Sequence, residues 1–141
     1  MSDMGIADIL SRINWWSVWL AVLTVFLIKV CWYSDFAFGD FILKRHIQDE
    51  NMWVSVKMSL YFIGTIVELG FIVIGAFVFC WLGINGFLEG ALFGLLSFMV
   101  MLVVLVMLCF YESRILDALL IHGGYLFCIN LTVGLLLGCL K

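Results

Sequence analysis

The sequence predicts an all-α integral membrane protein: a four-helix bundle of antiparallel up-down crossings, preceded by a short N-terminal interfacial helix. Three observations predict it. Hydrophobic residues fill 66% of the 141 positions, charged residues fill only 12%, and the chain has no proline. A mean hydropathy of +1.23 exceeds what a soluble fold of this size can hide in its interior. A bilayer solvates such surface instead, and each crossing takes about 20 apolar residues at about 1.5 Å of rise each. Four crossings with short loops consume residues 1–141, with no linker or low-complexity tract between them, so the chain reads as one domain.

The elements follow in order. Residues 1–13 set Ile6, Ile9, Leu10 and Ile13 against Asp3, Asp8 and Arg12, a pattern for a short helix lying in the membrane interface. The first crossing, 14–33, opens with Trp15, Trp16 and Trp19 and closes with Trp32 and Tyr33, ring types that prefer headgroup depth. Only Arg12 precedes this apolar run and no small-residue cleavage site is evident, so it reads as a retained helix. Asp35, Asp40, Lys44, Arg45, His46, Asp49 and Glu50 make the following loop the most polar stretch. The second crossing, 53–81, is long enough to tilt. Gly83, Asn85 and Gly86 form a tight turn into the third crossing, 87–111, which makes these two helices expected antiparallel neighbours. Glu112, Arg114 and Asp117 form the last loop, and 119–140 is the fourth crossing.

Charge sets the expected orientation and excludes one class of partner. Lys44, Arg45 and Arg114 lie in loops one and three, with Lys29 and Lys57 near the same surface, against Arg12 and Lys141 on the other. The positive-inside tendency then places loops one and three in the cytoplasm and both termini outside, as in a bacterial inner membrane. A net charge of -3 with dispersed Lys and Arg gives no basic stripe for phosphates, so nucleic acid is not an expected partner. The bilayer is.

Glu68 carries the sharpest chemical signal. It stands inside the second crossing with no charge beside it, and such a group usually faces the bundle interior or a wet cavity. Lys57, Tyr61, Gly64, Thr65 and Gly75 share its face at helical spacing. Thr24, Ser97 and Asn130 stand near the midpoints of the other crossings and are the expected partners, Asn130 above all. A carboxyl among such neutral groups in low dielectric favours its protonated form. Glu68 then serves either as a proton or cation site or as a structural hydrogen-bonding group. Lys29, Lys57 and His122 form a candidate cytoplasmic-side cluster, with the Lys29 stem snorkelling to the headgroups; the alternative for Lys29 is an ion pair with Glu68.

Gly86, Gly90 and Gly94 recur every four residues, continued by Ser97, and Asn130, Gly134 and Gly138 repeat that spacing in the last crossing. Rows of this kind let helix backbones approach closely in lipid, within one chain or between subunits. Cys31, Cys80, Cys109, Cys128 and Cys139 are widely spaced in apolar stretches and read as buried packing thiols, not metal ligands. His46 and His122 come with no further ligand set, so neither a metal nor a cofactor is expected. No phosphate-binding glycine loop, nucleophile elbow, HExxH or paired-carboxylate arrangement is present.

Trp32, Tyr33 and Ser34 followed by Phe38 and Gly39 resemble the start of a family of small four-helix bacterial membrane proteins known by a domain-of-unknown-function label. Its pattern is Trp-Tyr-Ser-Pro followed by Phe-Gly, and here Asp35 stands in place of the proline. Ile121, His122, Gly123, Gly124 and Tyr125 followed by Gly134 and Gly138 resemble the family's closing helix. The resemblance implies the four-helix fold and carries no known activity. The expected function is a non-enzymatic membrane component, a self-associating bundle or an accessory subunit of a larger complex. The alternatives are a small proton- or cation-coupled transporter using Glu68 and a membrane enzyme acting on lipid or quinone.

Overall fold

A computed structural model describes residues 5–34, 36–39, 50–111 and 115–140, with backbone alone for 50–57, 59–60, 109, 111 and 115–118. Five helices span these residues: α1 (Ile6–Arg12), α2 (Trp15–Trp32), α3 (Glu50–Leu82), α4 (Phe87–Tyr111) and α5 (Ile115–Cys139). No strand occurs among the described residues. Four helices are long and apolar enough to cross a membrane, over Trp15–Trp32, Tyr61–Leu82, Phe87–Leu108 and Leu119–Cys139. Two predicted boundaries move: α3 begins at Glu50, inside the predicted loop, and Asp117 lies within α5. The loop cations Lys44, Arg45 and Arg114 lie outside the described residues, as do Asp35, His46 and Glu112.

Local chemistry sets the helix ends. Asn14 caps α2 by accepting a hydrogen bond from the Trp16 backbone N–H at 3.1 Å, and its amide donates to the Leu140 carbonyl past the end of α5. Gly83, at φ 67, ends α3 in the left-handed region open to glycine. The Ile84 N–H then bonds the Phe79 carbonyl at 3.1 Å and the Gly83 N–H bonds that of Cys80 at 3.3 Å, satisfying carbonyls the helix leaves open. Glu89, in the first turn of α4, accepts from the Asn85 N–H at 3.1 Å.

The core belongs to three helices. Val18, Ala21 and Val25 of α2 meet Ile72, Ala76 and Phe79 of α3 and Tyr125, Ile129, Val133 and Leu137 of α5. Each set repeats every three or four residues and so forms one helix face. α4 adds only Phe93 at the margin, edge-on to Phe79 with ring centroids 4.6 Å apart. Its close backbone contact is with α5, not with α3 as the short turn suggested. The turn fixes only the neighbouring helix ends, whereas the glycines decide which backbones can touch.

The two glycine rows meet each other within one chain. A Cβ at Gly90 would run into the Gly134 carbonyl oxygen, one at Gly94 into that of Asn130, and one at Gly138 into that of Gly86. The paired positions rise on α4 as they fall on α5, so the two rows run in opposite senses. Gly86 itself has open space around a Cβ and contributes its carbonyl.

α1 packs against α3 with Ile9 and Ile13 buried, while Ile6 and Leu10 stay exposed, so half of its apolar set is used by the protein itself. One further expectation is corrected. Cys31 and Cys139 are exposed rather than buried, and Cys80 and Cys128 are half-buried.

Candidate functional site: a buried ion pair among phenols

The polar centre forms where α2, α3 and α5 converge. Lys29 turns inward, and its ammonium lies 2.6 Å from Glu68 Oε2, with the two side chains 5% and 16% exposed. The snorkelling expectation is thereby corrected. Two features of the sequence explain it. α3 is 33 residues long, about 50 Å at 1.5 Å per residue, and Glu68 is only seven positions into its apolar span. Gly64 then clears the way, because a Cβ there would stand 2.8 Å from the Lys29 ammonium. Thr65 adds a hydroxyl 3.4 Å from the same nitrogen while donating to the Tyr61 carbonyl.

The second carboxylate oxygen belongs to α5. The Tyr125 hydroxyl donates to Glu68 Oε1, so Glu68 ties α3 to both neighbouring helices. Three residues before Tyr125, on the same face of α5, His122 Nδ1 lies 2.8 Å from the Tyr33 hydroxyl. The rings of Tyr33 and Tyr125 meet edge to face with centroids 5.2 Å apart. Burial pushes the Tyr33 phenol above its ordinary value of 10.0, and the charge of Glu68 pushes it in the same direction. Tyr33 therefore stays neutral and available as a hydrogen-bonding group.

The predicted midplane partners do not converge. Asn130 is 2% exposed, but its amide donates to the Leu126 carbonyl at 2.8 Å and approaches the Met101 sulfur at 3.6 Å. It lies five residues beyond Tyr125, a rotation of about 140° around the helix, and so faces α4 when Tyr125 faces Glu68. Its Oδ1 has no hydrogen-bond partner among the described residues. Thr24 donates to the Leu20 carbonyl of its own helix at 2.7 Å, a local alternative open to any helical Thr. Ser97 is half-buried on α4 and is not among the partners of Glu68. The cytoplasmic-side cluster divides as well: Lys29 goes to Glu68, His122 to Tyr33, and the Lys57 side chain lies outside the described residues.

Sequence reasoning missed Tyr33 and Tyr125 as site residues, although the motif residues around them were in view. Those two motifs pack on each other. The Trp32 indole N–H donates to the Ile121 carbonyl at 3.1 Å, and a Cβ at Gly124 would stand 3.0 Å from that ring. Phe38 stacks on Trp32 with centroids 5.0 Å apart, and Gly39 sits where a Cβ would meet the Tyr33 carbonyl.

Fold and site together define a helical, membrane-embedded protein with an ion pair inside its apolar spans. No protein-family model, curated protein or solved structure matches the chain. Among the described residues no group of three or more His, Cys, Asp or Glu side chains could hold a metal ion.

Proposed function

We propose that the protein is a non-enzymatic membrane subunit: a bundle of four antiparallel crossings that associates with a second copy or with a larger membrane complex. The observation that carries this reading is α4. It is fixed to the rest of the chain along one seam, and Leu88, Leu92, Leu96, Val100, Val103 and Met107 remain exposed around it. The glycine rows are consumed inside the chain, so association uses this leucine- and valine-rich face. Cysteines placed at Leu96 and Val103 are expected to crosslink in native membranes, and a cysteine at Ile129, buried in the core, is not. A strictly monomeric particle in mild detergent, with no crosslink and no co-purifying partner, overturns the proposal.

A second reading, a small proton- or cation-coupled transporter, is favoured by the ion pair itself. Ionisable groups inside a membrane span are costly and tend to mark proton or substrate pathways, and a buried pair is weak support for stability compared with apolar packing. Vesicles holding the wild-type protein would show proton-linked uptake that Glu68→Gln abolishes; equal fluxes remove this reading. The lipid or quinone enzyme has less support, since Lys29 is turned inward to Glu68 rather than toward the headgroups. Residence in a bacterial inner membrane with loops one and three cytoplasmic belongs to the same proposal and rests on the distribution of Lys and Arg. Membership of the four-helix family of unknown activity is likewise proposed, supported by the mutual packing of its two motifs.

A further inference from the structure

Polar side chains lead from one end of the spans to Glu68. Tyr33 follows the last residue of α2 and His122 lies in the first turns of α5, so both stand near the same membrane surface. Their hydroxyl and Nδ1 are 2.8 Å apart. Tyr125, in ring contact with Tyr33, donates to Glu68 Oε1, and Lys29 holds Oε2. Among the described residues the titratable groups around Glu68 are Lys29 of α2 and Tyr33 just after that helix, Tyr125 with His122 behind it from α5, and Tyr61 on its own helix. Among the described residues α4 brings Glu89, which is bound to the connecting turn. The core residues Ile72, Ala76 and Phe79 fill α3 on the other side of Glu68. Proton access is therefore one-sided.

We propose that His122 and Tyr33 form the port through which Glu68 exchanges its proton with the aqueous phase at the end of α2, and that proton uptake by Glu68 releases Lys29 from the pair. The imidazolium gives a proton to the Tyr33 oxygen while Tyr33 passes its own proton toward Tyr125. Tyr125 passes its proton to Glu68 Oε1 and receives the incoming one. Each phenol ends with one proton, His122 ends neutral and Glu68 ends as a carboxylic acid. The two rings are in edge-to-face contact, their hydroxyls bonded to His122 and Glu68 rather than to each other, so the relay includes a ring movement that brings the two phenol oxygens into reach. The port requires no transported substrate and no partner subunit, so it stands independently of both functional readings.

Infrared difference spectra of the full-length protein in vesicles, recorded after a rapid drop in pH, test this. The wild type is expected to develop a carboxylic-acid C=O band that Glu68→Gln removes and Tyr125→Phe shifts. His122→Gln keeps a hydrogen-bonding group beside Tyr33 but cannot titrate. It is expected to leave the final band amplitude unchanged and slow its appearance by about tenfold or more, as is Tyr33→Phe. A wild type without the band, a band that survives Glu68→Gln, or a His122→Gln protein that responds as fast as the wild type overturns the proposal. Because a merely structural histidine would leave the rate at equal amplitude unchanged, the kinetics separate the two roles even if His122→Phe fails to fold.

Discussion

Lys29 reaches Glu68 across the bare backbone of Gly64, so that its ammonium lies 2.6 Å from Oε2. Both charges sit in an environment that would penalise either alone. Removing one partner therefore costs far more than removing both.

The first prediction follows from that asymmetry. Lys29→Met or Glu68→Leu alone should destabilise the protein by about 3–5 kcal/mol, the usual range for stranding a buried charge. The double variant should recover most of the loss. Denaturation in mixed detergent micelles checks this through a double-mutant cycle, and a double variant as unstable as the sum of the singles would remove the ion pair as the cause.

Gly64 and Gly70 provide a matched comparison on one helix. A Cβ at Gly70 meets nothing within 4 Å, so Gly70→Ala should gain about 0.5–1 kcal/mol from helix propensity. Gly64→Ala has the same propensity gain but pushes on the Lys29 ammonium, and should end less stable than Gly70→Ala. Equal melting temperatures for the two would mean that Lys29 does not lie over Gly64.

Along the seam the obstacle is backbone, which cannot swing aside as a lysine can. Gly90→Ala and Gly134→Ala are each expected to cost about 1–3 kcal/mol, as overpacking generally does. Gly86→Ala, where the space is open, should be tolerated. The same unfolding assay ranks the three, and a tolerated Gly90→Ala would place the seam elsewhere.

Asn130 is expected to matter less than its burial suggests. Its one strong hydrogen bond is to its own helix at Leu126, and polar contacts within membranes average about 0.6 kcal/mol. Asn130→Leu should therefore stay within about 1 kcal/mol of the wild type; a loss as large as that of Glu68→Leu would contradict this.

Alkaline behaviour should report on Tyr33. Its folded-state value lies above the ordinary 10.0, so the unfolded chain releases this proton first. The stability held by the neutral phenol is complete below pH 10.0 and is lost as the pH rises toward the folded-state value. Tyr33→Phe should flatten that decline in a stability-against-pH profile, with phenolate absorbance confirming the missing group.

The spans were legible because length and apolar content alone decide them, and the glycine spacing named the residues of the seam before any contact was known. The centre of the site was harder to read. Thr24 failed as a partner because a helical threonine satisfies itself on the preceding turn. Asn130 failed because five residues of rotation separate it from Tyr125, and sequence midpoints carry no information about which face is turned inward. Lys29 lies close enough to the end of α2 to snorkel or to pair, and only the packing of α3 against α2 decides between the two. Gly64, four residues before Glu68, was the available signal: a missing side chain one turn from a buried carboxylate marks room for a cation.

The seam between α4 and α5 joins consecutive helices, whereas the ion pair and the core join residues far apart along the chain. Contacts between sequence neighbours close small loops and need little else in place. The last two helices can therefore pair as a hairpin as soon as both are in the bilayer, and the earlier helices dock onto the α5 face left uncovered. Opening should retrace this order. α1, with Ile9 and Ile13 as its buried grip, and α3 come away first, and the glycine-seamed hairpin is the last part of the molecule to lose its protected amide hydrogens.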